Sequence, residues 1–140
     1  MIVLRPRPSW IVASKVGIFL DRDGVINENR KDYVKSIGEV EFIPDSLEAI
    51  ARLARYFGEQ VAIIIVTNQS AVGRGIITSE EAAAINGYIL GKAEAAGGRV
   101  DCIYTCPHKP DDGCTCRKPG TKMLRAAADI YGLDLKRSFM

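Results

Sequence analysis

The chain has 140 residues, a length typical of one domain with one hydrophobic core. Hydrophobic residues make up 47% of it and charged residues 26%, and a net charge of +2 is too small to indicate a nucleic-acid-binding protein. No apolar run reaches the roughly 18 residues of a membrane span, and the opening is interrupted by charged residues and prolines, unlike a signal peptide. We therefore expect a cytoplasmic protein.

The first predicted strand is residues 15–20, a short apolar run with β-branched and aromatic side chains that is typical of a buried parallel strand. Residues 1–14 before it are expected to be an N-terminal arm, either an extra strand or a loose segment. We therefore place the main domain at residues 15–140. Residues 24–43 are mixed and polar, which predicts a loop with a small hairpin.

The predicted helices carry start and stop signals. The first begins at Asp45 with Glu48 three residues later, the pattern of a capping box, and ends at Gly58. A second capping box, Thr78 with Glu81, opens an alanine-rich helix that runs to about residue 96. The third helix is predicted at residues 122–131, with Gly132 closing it.

Further strands are predicted between these helices. Residues 61–66 are the strongest strand signal, residues 99–105 form another strand, and residues 136–140 begin a fourth. Residues 67–77 and 106–117 are predicted loops. Strands that alternate with helices indicate an α/β fold, a doubly wound Rossmann-like parallel sheet with helices on both faces.

Polar residues follow the carboxyl ends of the predicted strands, where ligands bind in open α/β sheets. Asp21 and Asp23 follow the first strand, Thr67 and Asn68 follow the second, and Lys118 comes after the loop beyond the third. We expect two carboxylates, a hydroxyl and a lysine to converge there.

This set of side chains suits phosphoryl transfer. One carboxylate can attack phosphorus to form an aspartyl phosphate, and the other can protonate the leaving oxygen and later activate water. Magnesium prefers such oxygen ligands, and lysine and amide groups hold phosphate oxygens. Taken alone, Asp21-x-Asp23-Gly24 could instead be a turn or part of a calcium loop. A calcium loop needs a preceding helix and a Glu at its twelfth position, where this chain has Asp32.

Three of the four cysteines surround the single histidine between residues 106 and 116. Three thiolates and one imidazole complete a tetrahedral zinc shell with no open position, which predicts a structural zinc. The predicted ligands are Cys106, His108, Cys114 and Cys116. The remaining Cys102 lies in a predicted strand and is interpreted as a small buried hydrophobe. A disulfide between loop cysteines is the alternative.

The motifs together resemble one family. Residues 19–27 resemble the first motif of the haloacid dehalogenase-like phosphatases, and residues 66–75 resemble the second motif in the heptose-bisphosphate and histidinol-phosphate branch. Residues 116–119 resemble the third motif, and the likeness extends over residues 16–140. That branch has the same four zinc ligands in its loop.

The resemblance implies a role for each site residue. Asp21 would be the nucleophile and Asp23 the acid/base. Magnesium would bind the Asp21 carboxylate and the Asp23 backbone carbonyl, and Lys118 would stabilise charge. The implied contacts to phosphate or substrate are Thr67, Asn68, Arg74 and Arg117. The expected partner is a small phosphorylated metabolite, without nucleic acid or membrane, and the chain is expected to be a monomer.

The family's fourth motif places one or two aspartates after the fourth strand, and residues 1–140 do not contain it. We therefore expect a C-terminally truncated fold. The expected substrate is D-glycero-D-manno-heptose 1,7-bisphosphate, with histidinol phosphate as the alternative. A polynucleotide 3′-phosphatase is disfavoured by the zinc loop. The alternative of another class is a catalytically impaired, zinc-stabilised domain that binds a phosphorylated ligand.

Overall fold

A computed structural model describes residues 1–4 and 16–140, and within them it shows a four-stranded mixed sheet. The strands are β1 (Ile2–Leu4), β2 (Val16–Leu20), β3 (Val61–Asn68) and β4 (Cys102–Cys106), in the order β1-β4-β3-β2. The predicted parallel pairing is confirmed for β2, β3 and β4, whereas β1 pairs antiparallel with β4. The direction of β1 could not be predicted because its partner lies about a hundred residues away in sequence. Lys15, the predicted first residue of β2, lies outside the described residues.

Helices connect the parallel strands. They are α1 (Ser46–Phe57), α2 (Ser70–Gly73), α3 (Ser79–Ala95) and α4 (Lys122–Tyr131), with short 3-10 turns at Ile37–Glu39, Gly58–Gln60 and Pro110–Asp112. The predicted bounds of α4 are confirmed, and α2 is a single turn inside the predicted loop 67–77. None of the described helices is both long and apolar enough to cross a bilayer.

One of the two predicted capping boxes is confirmed. The Thr78 side chain accepts a hydrogen bond from the Glu81 N–H, and the Glu81 carboxylate accepts one from the Thr78 N–H. The box at Asp45 and Glu48 is wrong: Asp45 has φ 65° and no side-chain cap bond. A capping side chain reaches the helix N–H groups from an extended backbone, and left-handed Asp45 does not have that conformation.

Three strand boundaries differ from the prediction. β3 continues to Asn68, so Thr67 and Asn68 belong to the strand and not to a loop. β4 runs from Cys102 to Cys106, whereas the prediction was residues 99–105, and before Cys102 side chains make part of the bonding to β3. The Arg99 guanidinium donates to the Val61 carbonyl at 2.7 Å, and the Asp101 carboxylate accepts from the Ile63 N–H at 2.8 Å.

The C-terminal residues lie beside β2, as expected for a fourth parallel strand. Among the described residues, backbone pairing with the C-terminal segment is confined to Phe139: its N–H donates to the Gly17 carbonyl at 2.9 Å, and its carbonyl accepts from the Phe19 N–H at 2.8 Å. The predicted small hairpin between residues 24 and 43 is present as one antiparallel bridge, Asn27 with Phe42.

The hydrophobic core lies on both faces of the sheet, as a doubly wound fold requires. Residues Val61 to Val66 of β3 are buried and alternate between the faces. Ile63 and Ile65 pack with residues of α1 and α3, and Ile64 and Val66 pack with residues of α4. The carboxyl ends of β2 and β3 therefore lie side by side, above a core that is packed on both faces of the sheet.

Candidate active site and metal centre

A cavity of about 280 Å³ lies at the carboxyl ends of β2 and β3. Five of the predicted site residues line it: Asp21, Asp23, Asn68, Arg117 and Lys118. Six further residues complete the lining: Asn29, Arg30, Tyr33, Val34, Gln69 and Ser70. The cavity therefore brings together acidic, basic and amide groups from three separate stretches of the chain.

Lys118 connects its own stretch of the chain to the stretches that carry Asp21 and Asn68. Its Nζ donates to Asp21 Oδ2 at 2.6 Å and to the Val66 carbonyl at 3.0 Å. Its backbone N–H donates to Asn68 Oδ1 at 3.0 Å, and its carbonyl accepts from Asn68 Nδ2 at 3.2 Å. The Lys118 ammonium is thereby fixed next to the carboxylate of Asp21, whose side chain is 39% exposed and accessible from the cavity.

The Asp23 carboxylate is held by three neighbouring side chains. Arg22 Nη2 donates to both of its oxygens at 3.0 and 3.1 Å, Asn27 Nδ2 donates to Oδ1 at 2.8 Å, and Gln69 Nε2 donates to Oδ2 at 2.6 Å. The side chain is 23% exposed. Asp23 is therefore fixed in orientation while it still faces the cavity.

Two predicted substrate residues do not line the cavity. Thr67 is 1% exposed, and its hydroxyl accepts a hydrogen bond from Gln69 Nε2 at 2.7 Å. Arg74 is exposed and follows the short helix α2. Their contacts with phosphate or substrate stay predictions. Arg117 does line the cavity, and its Nη1 donates to the His108 carbonyl at 3.2 Å.

The wall contributed by residues 29–34 was missed in the sequence, because a polar loop has no periodicity that shows which side chains turn inward. One local feature is Tyr33, whose φ of 65° is unusual for a bulky residue and which lines the cavity. Asp32 next to it pairs with Lys35 at 2.7 Å and Arg30 at 3.1 Å. The hydrogen bonds from Lys35 and Arg30 lower the pKa of Asp32 to about 2.

The four predicted zinc ligands lie together. Their ligand atoms are all within 4.8 Å of one another, and no disulfide links any cysteine of the described chain. The sulfur–sulfur separations are 3.3 to 3.9 Å, and His108 Nδ1 lies 3.6 Å from Cys106 Sγ and 3.3 Å from Cys116 Sγ. A tetrahedral zinc with bonds of about 2.3 Å to sulfur and 2.0 Å to nitrogen places sulfurs about 3.8 Å apart and nitrogen about 3.5 Å from sulfur. The cluster fits zinc.

The cavity also offers the oxygen donors that magnesium prefers. The Asp21 oxygens accept from the Arg22 N–H and from Lys118 Nζ, and each oxygen keeps a second lone-pair site. The side-chain oxygens of Asp23 accept hydrogen bonds from Arg22, Asn27 and Gln69. The Asp21 carboxylate therefore fits a magnesium ligand, and the Asp23 backbone carbonyl stays a prediction.

Cys102 is fully buried in β4, as predicted, and its Sγ lies 3.4 Å from the Leu4 carbonyl. Burial raises the pKa of its thiol to about 11. The ring of Tyr104 is buried on the same strand, and burial raises the pKa of its hydroxyl as well. Neither group takes part in the cavity or the cysteine cluster.

The sequence is similar to several known phosphatases, although no family model matches it. It is 46% identical over 118 residues to the D-glycero-beta-D-manno-heptose-1,7-bisphosphate 7-phosphatase of Pseudomonas aeruginosa, covering 84% of this chain and 65% of that protein. It is 36% identical over 123 residues to the "Probable D-glycero-D-manno-heptose-1,7-bisphosphate 7-phosphatase" of Thermoplasma acidophilum, covering 88% of this chain and 74% of that protein.

The fold is similar to a solved structure as well. The D,D-heptose 1,7-bisphosphate phosphatase of Bordetella bronchiseptica, crystallised with magnesium and phosphate, superposes with a TM-score of 0.79 at 42% identity. The match covers 86% of this chain and 65% of that one. The chain thus spans somewhat less than two thirds of the length of that structure and of the Pseudomonas relative.

Proposed function

We propose a function from the premise that this chain belongs to the haloacid dehalogenase-like phosphatases, in the branch of the heptose 1,7-bisphosphate phosphatases. On that premise it is a phosphate monoester hydrolase that depends on magnesium and acts on D-glycero-D-manno-heptose 1,7-bisphosphate. The relatives described above are named as heptose 1,7-bisphosphate 7-phosphatases, and these names favour the heptose bisphosphate over histidinol phosphate as the substrate. A monomer in the cytoplasm, without nucleic-acid or membrane partners, remains part of the proposal.

The observation that carries the proposal is the Asp21–Lys118 pair at 2.6 Å, in a cavity that Asp23 also lines. An Asp21 oxygen attacks phosphorus, the bond from phosphorus to the leaving oxygen breaks, and Asp23 donates its proton to that oxygen. Water then attacks the aspartyl phosphate, Asp23 takes the proton from water, and inorganic phosphate leaves Asp21.

The other site residues act on the charge of the phosphoryl group. Lys118 Nζ, fixed by the Val66 carbonyl, stabilises the negative charge that moves between Asp21 and the phosphoryl oxygens. Asn68 and Thr67 are proposed as phosphate ligands, and Arg117 and Arg74 as substrate contacts. Magnesium, when bound at Asp21 and the Asp23 carbonyl, supplies positive charge that offsets repulsion between carboxylate and phosphate.

Zinc is proposed as a structural ion in the cysteine cluster, because four protein ligands leave no open position for catalysis. Cys116 directly precedes Arg117 and Lys118, and Arg117 donates to the carbonyl of His108. The ion would therefore hold the loop that carries both cavity residues, since that loop has few apolar residues of its own.

The proposal is tested by phosphate release from the 140-residue chain with magnesium. The heptose bisphosphate and histidinol phosphate are compared as substrates. Asp21→Asn should abolish turnover and leave the fold unchanged, because an amide cannot form the aspartyl phosphate. Asp129→Asn, an exposed carboxylate on α4, is the matched control and should keep the wild-type rate. Phosphate release by Asp21→Asn at the wild-type rate would refute the proposed mechanism. Faster release from histidinol phosphate than from the heptose bisphosphate would show that histidinol phosphate is the substrate.

A further inference from the structure

The side chain of Arg22, which stands between the two aspartates in sequence, is buried, with 1% of it exposed. Its guanidinium meets the Asp23 carboxylate side-on: Nη2 donates to both oxygens, and Nε donates to Oδ1 at 3.2 Å. Such a forked contact sets the plane of a carboxylate as well as its position. Arg22 therefore determines how Asp23 is turned.

The remaining guanidinium hydrogens are anchored to the rest of the fold. Nη1 donates to Asn86 Oδ1 on α3 at 3.1 Å, and Asn86 Nδ2 donates to Thr105 Oγ1 on β4 at 3.0 Å. Nη2 also donates to Gln69 Oε1 at 2.8 Å. An arginine side chain has only donors, so the side-chain amides of Asn86 and Gln69 must turn their oxygens towards Arg22. Their nitrogens are then free to donate to Thr105 and to the Asp23 carboxylate. The network links α3 and β4 to the Asp23 carboxylate.

A stabilising role alone does not account for this arrangement. Burying a guanidinium costs several kcal/mol before its contacts offset the loss, and apolar residues often serve stability as well as a buried ion pair does. The Arg99–Asp101 pair is a useful comparison, because Arg99 donates to the carbonyls of Gly58 and Val61 and ties the sheet to the end of α1. Arg22, by contrast, directs its contacts at a carboxylate in the cavity.

We propose that Arg22 is a positioning residue for proton transfer by Asp23, an inference that rests on the proposed function. Through the fork it holds one Asp23 oxygen towards the leaving oxygen of the phosphate ester and later towards the attacking water. Gln69 and Asn86 keep the fork in place from the other side. Loss of the fork should slow the proton transfers more than it weakens binding of the phosphoryl group.

The test compares substrates that differ in their need for a proton on the leaving group. An alkyl phosphate such as the sugar bisphosphate needs one, whereas p-nitrophenyl phosphate releases a phenolate that leaves without it. Arg22→Met should lower kcat/KM for the alkyl phosphate by about 10² or more and for p-nitrophenyl phosphate by less than about tenfold. Arg22→Lys, which keeps the charge but not the fork, should recover part of the loss.

Arg99→Met is the matched control, because it removes an arginine that pairs with a buried aspartate away from the cavity. It should lower the melting temperature and leave the ratio of the two kcat/KM values unchanged. If Arg22→Met does not fold, as judged by its thermal transition, Asn86→Ala removes the anchor at Nη1 and should shift the ratio in the same direction.

The outcomes separate the two proposals. Equal loss on both substrates in the folded Arg22 or Asn86 variant would overturn the positioning role and leave the proposed function intact. A wild-type chain that releases phosphate from neither substrate, with magnesium titrated to high concentration, would overturn the proposed function and the positioning role with it.

Discussion

Removal of one ligand from the cysteine cluster should strongly weaken zinc binding. In Cys114→Ser a hydroxyl replaces a thiolate at a vertex whose sulfur lies 3.6 Å from Cys106 Sγ and 3.9 Å from Cys116 Sγ, close to the separation in a zinc tetrahedron. We expect about one zinc per wild-type chain and much less in this variant. Cys102→Ser is the matched control, because Cys102 is buried in β4 and has no place in the cluster.

The loss of zinc should also lower the stability of the folded protein. A ligand at 100 times its dissociation constant stabilises the folded state by about 2.7 kcal/mol. For a chain of this length, 1 kcal/mol corresponds to about 3 to 4 °C in melting temperature. Wild-type protein should therefore melt about 10 °C higher with zinc than with a strong chelator, and Cys114→Ser should lose most of that difference.

Elemental analysis and thermal unfolding, with and without chelator, measure both effects. Ellman titration of the native protein gives a third readout, because chelation should release the three ligand thiols while Cys102 stays unreactive. Burial and a raised pKa keep that thiol protonated and out of contact with reagent. A disulfide among the four ligand positions in reduced protein, or equal zinc content in wild type and Cys114→Ser, would refute the assignment.

Three further predictions follow from local geometry. A Cβ on Gly73 would lie 2.7 Å from the Pro107 carbonyl oxygen, so Gly73→Ala should lower the melting temperature, whereas Gly87→Ala, with open space in α3, should raise stability by about 0.5 to 1 kcal/mol. Equal effects of the two changes in thermal unfolding would contradict this reasoning. Lys118→Met should lower kcat by about 10² to 10³, as loss of an oxyanion donor does; a raised KM with unchanged kcat would make Lys118 a binding residue only. The Asp32 carboxyl should titrate near pH 2 by NMR, so the stability that its pairs contribute is present above its ordinary pKa near 3.8 and is lost as the pH falls through about 2. A midpoint near 3.8 would show that the ion pairs do not form in solution.

Local sequence patterns predicted most of the parallel core. An apolar run such as residues 61–66 can only be satisfied by burial on both faces, and capping residues such as Thr78 act within one helical turn. The ligand spacing of the cysteine cluster is likewise local, since all four residues lie within eleven positions that start at Cys106, the last residue of β4. Features that depend on partners far away in sequence were predicted less well, including the direction of β1 and the start of β4.

The candidate site shows the same division. The sequence by itself determined which residues lie at or beyond the strand ends, because parallel strands bring their carboxyl ends to one edge. Asp21, Asp23, Asn68 and Lys118 all line the cavity, whereas the buried Thr67 does not. Only the tertiary structure decided that Arg22 turns inward to hold Asp23 and that Tyr33 lines the cavity. Those positions depend on side-chain contacts with α3 and on loop backbone angles, and neither leaves a periodic trace in the sequence.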